Sequence, residues 1–249
     1  MNLGLICKSW LDQLLPRSCA LCVCAIAPSK KVERFSHTGV CHSCLNHFLN
    51  HKTLRCKICA NKLDVAATTS LCGSCLVKPP SYDRTIVVGD YVAPYSNLIH
   101  ALKFQHHLAL TPLFAQLLAL SWHQSQSTNA DIMTAIPLST ERLIERGFNQ
   151  SLEIAKPLAR LLSLPLIPSL AVRSRHTLAQ SSLAHHKRRD NLRGAFIIPT
   201  ASQVLKNKHI IVIDDVMTTG HTVNEFAACL KRYGAARVTN LIFARTIAH

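Results

Sequence analysis

Acidic residues are scarce in this chain: 13 Asp and Glu stand against 28 Lys and Arg among 249 residues, a formal charge of +15 at pH 7. Glycine is scarce too. There are eight, and none is followed by lysine, so the phosphate loop of the P-loop ATPases is excluded. No G-x-G-x-x-G occurs, which removes the dinucleotide fingerprint. No run of about 18 uncharged apolar residues exists, so no helix is expected to span a membrane. The opening stretch MNLGLICKSWLDQLLPRSC interrupts its apolar part with Lys8 and Asp12. That argues against a secretory signal and for a short amphipathic lead-in helix, and a cytosolic protein is expected. Aromatic residues are thin in residues 1–78, where only Trp10, Phe35 and Phe48 occur. They are too few for a base-stacking platform there.

What is present points elsewhere. The length suits one mid-sized domain plus an appendage, and 48% hydrophobic residues can build a sizeable core. The positive charge is uneven. Residues 1–78 carry a net +7 and residues 141–194 a net +6, leaving +2 for the rest. Two basic regions suit a polyanion, either nucleic acid or a heavily phosphorylated small molecule, although a plain cationic surface has the same composition.

Eight of the 11 cysteines fall in four Cys-x-x-Cys pairs: Cys19/Cys22, Cys41/Cys44, Cys56/Cys59 and Cys72/Cys75. A two-residue gap lets both thiolates of a tight turn face one ion, and two such knuckles complete a tetrahedral zinc site. A disulfide framework would need an oxidising compartment, which the N-terminus does not suggest. One or two structural zinc ions are therefore expected. The ligand sets are either sequential, Cys19–Cys44 and Cys56–Cys75, or interleaved as a cross-brace. Cys24, His37 and His42 are nearby bystanders, and Cys229 belongs to a helix's apolar face.

The stretch VKPPSYDR at 77–84 reads as a linker. It divides a head, residues 1–78, from a body, residues 79–249. In the body, strands and helices alternate: strands near 85–92, 131–138, 209–214 and 237–247, and helices over 95–104, 111–122, 148–162 and 221–233. Pro157 should kink the third helix. This alternation implies an α/β fold, a mostly parallel sheet flanked by helices. Ligands of such sheets sit beyond the carboxyl ends of the strands.

The stretch HIIVIDDVMTTGHTV, residues 209–223, puts two carboxylates at such an end. A phospho-acceptor receiver domain also carries paired acids, but near its start, whereas only 34 residues follow Asp215. Thr218, Thr219, Gly220, His221 and Thr222 then supply hydroxyls and backbone N–H groups where a helix begins, an anion cradle aided by the helix dipole. Acids for sugar hydroxyls beside a cradle for phosphate suit a ribose phosphate. VIDDVMTTGHT resembles the phosphoribosyl pyrophosphate (PRPP) motif of type I phosphoribosyltransferases. With AIPLSTERLIERGFNQS, LAQSSLAHHKRRDNLRGAF, SNLIHALKF and the four knuckles, nearly the whole chain resembles the ComF family, also called the GntX family.

That resemblance implies a double zinc ribbon joined to a type I phosphoribosyltransferase-like domain, linked to competence and DNA uptake. Asp214 and Asp215 would be the catalytic acids, holding ribose hydroxyls directly or through Mg²⁺. Val216 and Met217 would lead into the phosphate loop Thr218, Thr219, Gly220, His221 and Thr222. Pro137 and Leu138 would lie in the pyrophosphate loop, with Arg142 and Arg146 bringing charge to it. Residues 173–191 would be the mobile flap, in which Arg189 and Asn191 match the family pattern. Phe148 and Asn149 are either a helix start with its cap or part of the site. The implied partners are PRPP or a related ribose phosphate, single-stranded DNA, and a competence helicase or other uptake machinery. Two other functions fit the same residues: a metabolic phosphoribosyltransferase with an unidentified acceptor, and a zinc-dependent scaffold with a vestigial PRPP site.

Overall fold

The computed structural model describes residues 18–26, 39–44, 46–47, 53–64, 69–125, 129–173, 194–199 and 202–247. The chain divides into two compact units, residues 1–52 and 53–249. The lead-in helix, His37, Lys187, Arg189, Asn191, Arg193 and the rest of the expected flap beyond Arg173 lie outside the described residues. The larger unit contains the cysteines from Cys56 to Cys75 as well as the body.

In this unit a short helix α1 (Gly73–Val77) precedes strand β1 (Arg84–Asp90) and helices α2 (Tyr95–Phe104) and α3 (Thr111–Gln124). Strand β2 (Ile132–Ala135), helices α4 (Thr140–Arg146) and α5 (Gln150–Leu162), and a two-residue antiparallel pair, β3 (Val172–Arg173) with β4 (Phe196–Ile197), follow. Strand β5 (His209–Met217), helix α6 (His221–Arg232) and strand β6 (Arg237–Arg245) complete the unit. Four strands form one parallel sheet in the order β1-β6-β5-β2.

The central strands explain their own position. In β5, Ile210, Ile211, Val212 and Ile213 are all fully buried, as are Leu241, Ile242 and Phe243 in β6. Apolar side chains on both faces need cover on both faces, which only helices above and below provide. Helices α3 and α5 pack against each other and against the sheet, while α6 packs on β6 and β4. Helix α6 buries Val223, Phe226, Ala227, Cys229 and Leu230, the apolar stripe at helical spacing. Cys229 is indeed core, with its thiol directed at the Phe196 carbonyl at 3.4 Å.

Two local features refine the expected elements. Helix α5 continues from Gln150 to Leu162 with Pro157 inside it. Its Ile154, Ala155, Leu158 and Ala159 are buried, and this packing holds the helix together across the missing backbone donor. Strand β5 also does not stop at the acids. It runs on to Met217, because Val216 and Met217 still pair with Ala244 and Arg245 of β6.

Candidate functional site

The site assembles at the carboxyl end of β5. Neighbouring side chains on a strand point to opposite faces, so Asp214 and Asp215 meet different partners. Ser151, in the first turn of α5, donates its hydroxyl to Asp214 Oδ1 at 2.9 Å, and the Asp215 N–H reaches the same oxygen at 2.9 Å. Asp215 has a side chain only 4% exposed, and Lys103 near the end of α2 donates to its Oδ1 at 2.8 Å. The other oxygen of Asp215 is buried and has no hydrogen-bond partner among the described residues. An unpaired buried acceptor is costly, and a ligand hydroxyl or a hydrated cation would satisfy it. Hard carboxylate oxygens are the donors Mg²⁺ prefers, so the pair fits either Mg²⁺ or a ribose diol.

The charges are under tension. Burial and the adjacent Asp215 charge push the Asp214 carboxyl up to about 7, against the opposing pull of Lys103, the Ser151 hydroxyl and the Asp215 amide. An acid with that value titrates where a bound cation decides its state.

The loop after β5 turns sharply. Gly220 has φ +81°, and an added Cβ would lie 2.5 Å from Met217 Cε and 3.3 Å from the Tyr82 hydroxyl oxygen. Thr218 and Thr219 are exposed, while His221 and Thr222 are half-buried in the first turn of α6. No side chain caps α6, so its leading N–H groups are not used by a capping side chain and suit an anion. Met217, ahead of the loop, is tied by its carbonyl, which accepts from Thr246 N and Arg245 Nη1, both at 3.0 Å.

The pyrophosphate-loop candidate is clamped from two sides. Ile136 N donates to Ile213 O at 3.0 Å, and Asn149 Nδ2 donates to Ile136 O at 2.9 Å. Asn149 also caps α5, accepting from Ser151 N and Leu152 N. It is therefore both a cap and a brace for the loop, worth about 1 kcal/mol as a cap alone. Pro137 and Leu138 are half-buried in this loop, and Ser139 caps α4. Arg142 is exposed. Arg146 donates to Gln150 Oε1 at 2.7 Å and lies over the Phe104 ring at 5.7 Å.

Lys103 and Ser151 join the site without having been singled out from sequence. Both lie in stretches that carry the family resemblance, but neither has a local signature. Arg173 was noted only as the first residue of the flap. It is half-buried, and burial and the Arg142 charge pull its pKa down while Asp214 pulls it up. It thus stands within electrostatic reach of both the acids and the pyrophosphate-loop arginine.

The eight knuckle cysteines form two sequential sets, Cys19, Cys22, Cys41, Cys44 and Cys56, Cys59, Cys72, Cys75. In each set the sulfurs lie within 4.8 Å of one another, a cage for one zinc ion. Burial works against ionisation of Cys19, but N–H groups of Cys41, Cys22 and Leu21 outweigh it and lower the thiol to about 6. The same balance at Cys56, with donors from Cys59, Cys72 and Ile58, gives about 7. Cys24 and His42 stand outside both sets. The second cage is tied to the end of β5: Arg245 is 5% exposed, and its Nε donates to Cys59 O at 3.2 Å while its Nη1 donates to Met217 O at 3.0 Å.

Residues 149–247 match the model of the phosphoribosyl transferase domain. Among curated proteins, the chain is 35% identical over 237 residues to the DNA utilization protein YhgH of Escherichia coli K12, covering 94% of this chain and 99% of that one. It is 29% identical over 213 residues to competence protein F of Haemophilus influenzae, covering 84% of each. Among solved structures, glutamine PRPP amidotransferase from B. subtilis aligns with a TM-score of 0.37 at 18% identity, over 54% of this chain and 26% of that one.

Proposed function

We propose that this chain, which belongs to the ComF family of DNA utilization and competence proteins, binds PRPP or a related ribose phosphate with Mg²⁺ and handles single-stranded DNA in the cytosol. The observation that carries the ribose-phosphate reading is the buried, unpartnered Asp215 oxygen beside Asp214, at the mouth of an uncapped helix. Asp214 and Asp215 hold the ribose hydroxyls or Mg²⁺. Thr218 to Thr222 take the 5′-phosphate. Pro137 and Leu138 frame the pyrophosphate, and Arg142 and Arg173 supply its counter-charge. The family resemblance adds Arg189 as a further cation for the same pyrophosphate.

Bound Mg²⁺ would supply charge neutralisation at the pyrophosphate. Lys103 pairs with Asp215, and Ser151 fixes the orientation of Asp214. The single-stranded DNA reading is supported by the two basic stretches of the sequence, by the names of the relatives and by the zinc cages. Such binding weakens steeply with added salt, and Arg188→Ala with Arg189→Ala weakens it further.

The deciding experiment is calorimetric titration of PRPP with Mg²⁺ into zinc-loaded protein and into the Asp214→Asn/Asp215→Asn variant. Binding by the first alone supports the site and justifies a search for an acceptor. Binding by neither overturns it.

A further inference from the structure

Exposed Phe104, His100 and His106 gather with half-buried Phe148 on elements that also supply partners to the acid pair. Phe104, the last residue of α2, is 61% exposed although four other residues of that helix are buried. It is held in place rather than left loose. Arg146 lies over its ring at 5.7 Å, and the His100 ring stands 4.9 Å away. Beside it, Phe148 meets the His106 ring edge-on at 5.6 Å. His106 holds a left-handed backbone, φ 56°, which a residue with a Cβ adopts at a cost of roughly 1 kcal/mol. The rings come from two separate elements, the end of α2 with the turn after it and the α4–α5 junction.

Both elements also reach the acids. Lys103, next to Phe104, binds Asp215. Arg146 binds Gln150, and the next residue, Ser151, binds Asp214. The rings thus sit on the same two elements that hold the acids.

We propose that Phe104 and Phe148, with His106 and Arg146, form a stacking platform for unpaired bases of single-stranded DNA. The inference rests on the single-stranded DNA reading above and adds where the bases go. An aromatic face with a guanidinium and imidazoles beside it matches the π-face of any base. The α4–α5 junction lies in the stretch of net +6, which suits the phosphates of the same strand. Paired bases present no free face, so a duplex does not satisfy the platform. The N-terminal 78 residues carry only three aromatics.

The test uses full-length, zinc-loaded protein and fluorescence anisotropy at fixed salt. An oligothymidylate is compared with an abasic strand of the same length. The wild type should prefer the thymidylate by roughly tenfold, the order expected for one stacked base. In Phe104→Ala the ratio should fall to about one, and in Phe148→Ala it should fall part of the way. Phe104→Trp should keep the preference and show quenched tryptophan fluorescence on adding thymidylate. Equal wild-type affinity for both strands overturns the platform and leaves electrostatic DNA binding standing. Failure to bind either strand overturns the DNA reading and the platform together. An undiminished preference in Phe104→Ala assigns the rings to some other contact and also overturns the proposal.

Discussion

At Asp214, burial and the Asp215 charge favour the protonated acid, while Lys103 and Ser151 favour the carboxylate. The folded value of about 7 stands above the ordinary 3.8. The folded state therefore holds this proton more tightly than the unfolded chain does. The stability it contributes is complete below about pH 4 and is lost as the pH rises to about 7. Asp214→Asn should thus be more stable than the wild type at pH 8 and no more stable at pH 4, as read by urea denaturation at the two values. Mg²⁺-dependent PRPP binding should run the other way. It should weaken about tenfold per pH unit below 7, because one proton must leave for the metal to bind. A flat profile between pH 5 and 8 would remove Asp214 from the metal's ligands. Gly220 tests the loop. Gly220→Ala meets both the left-handed backbone, about 1–2 kcal/mol, and the Met217 methyl group. It should lower the melting temperature and weaken PRPP binding, as seen by calorimetry.

At the scale of elements, the site exists because three segments converge on the end of β5. Helix α2 brings Lys103 and α5 brings Ser151, while the Ile136–Ser139 loop is clamped by Asn149 and by β5 itself. The Lys103–Asp215 pair is the clearest test of this convergence. Lys103→Met leaves a buried carboxylate with no cation and should destabilise the protein by about 3 kcal/mol at neutral pH. Adding Asp215→Asn should recover most of that loss. A double-mutant cycle by chemical denaturation measures the coupling, and additive losses would show that the pair contributes no stability. Pro157 shows tertiary packing overriding a local rule: α5 is continuous because its buried face against α3 and the sheet outweighs one absent hydrogen bond.

For the larger unit as a whole, the second cysteine cage and the loop after β5 belong to one compact unit. Arg245 bridges Cys59 and Met217. On the same side, Arg55 and Lys62 bind Asp90 at the end of β1 at 3.0 and 2.8 Å. Ile58, between two cage ligands, packs on the main core. Metal loss should therefore reach the loop. Cys72→Ser should remove one zinc ion by metal analysis, lower the melting temperature and weaken PRPP binding severalfold. Unchanged PRPP affinity in the metal-depleted variant would show that the Arg245 bridge does not transmit the loss.

The amino-acid sequence determined whatever depends on neighbours along the chain. Continuous Val/Ile runs specify strands covered on both faces, and helical spacing predicts α2 from Tyr95 to Phe104 and the apolar stripe of α6. Cys-x-x-Cys spacing marks the two cysteine clusters, and the Asp-Asp-to-Thr222 stretch marks the end of β5 and the turn into α6. All of these are encoded by backbone torsions and side-chain periods within a few residues. Tertiary structure alone decided which elements meet. It made the cages sequential rather than interleaved. It put Lys103 on Asp215, Ser151 on Asp214 and Arg173 within reach of both Arg142 and Asp214. It also brought Arg146 over Phe104 and His106 against Phe148. Parallel strands are joined by long crossovers, so residues far apart in the chain become neighbours through the order β1-β6-β5-β2. No local pattern carries that order.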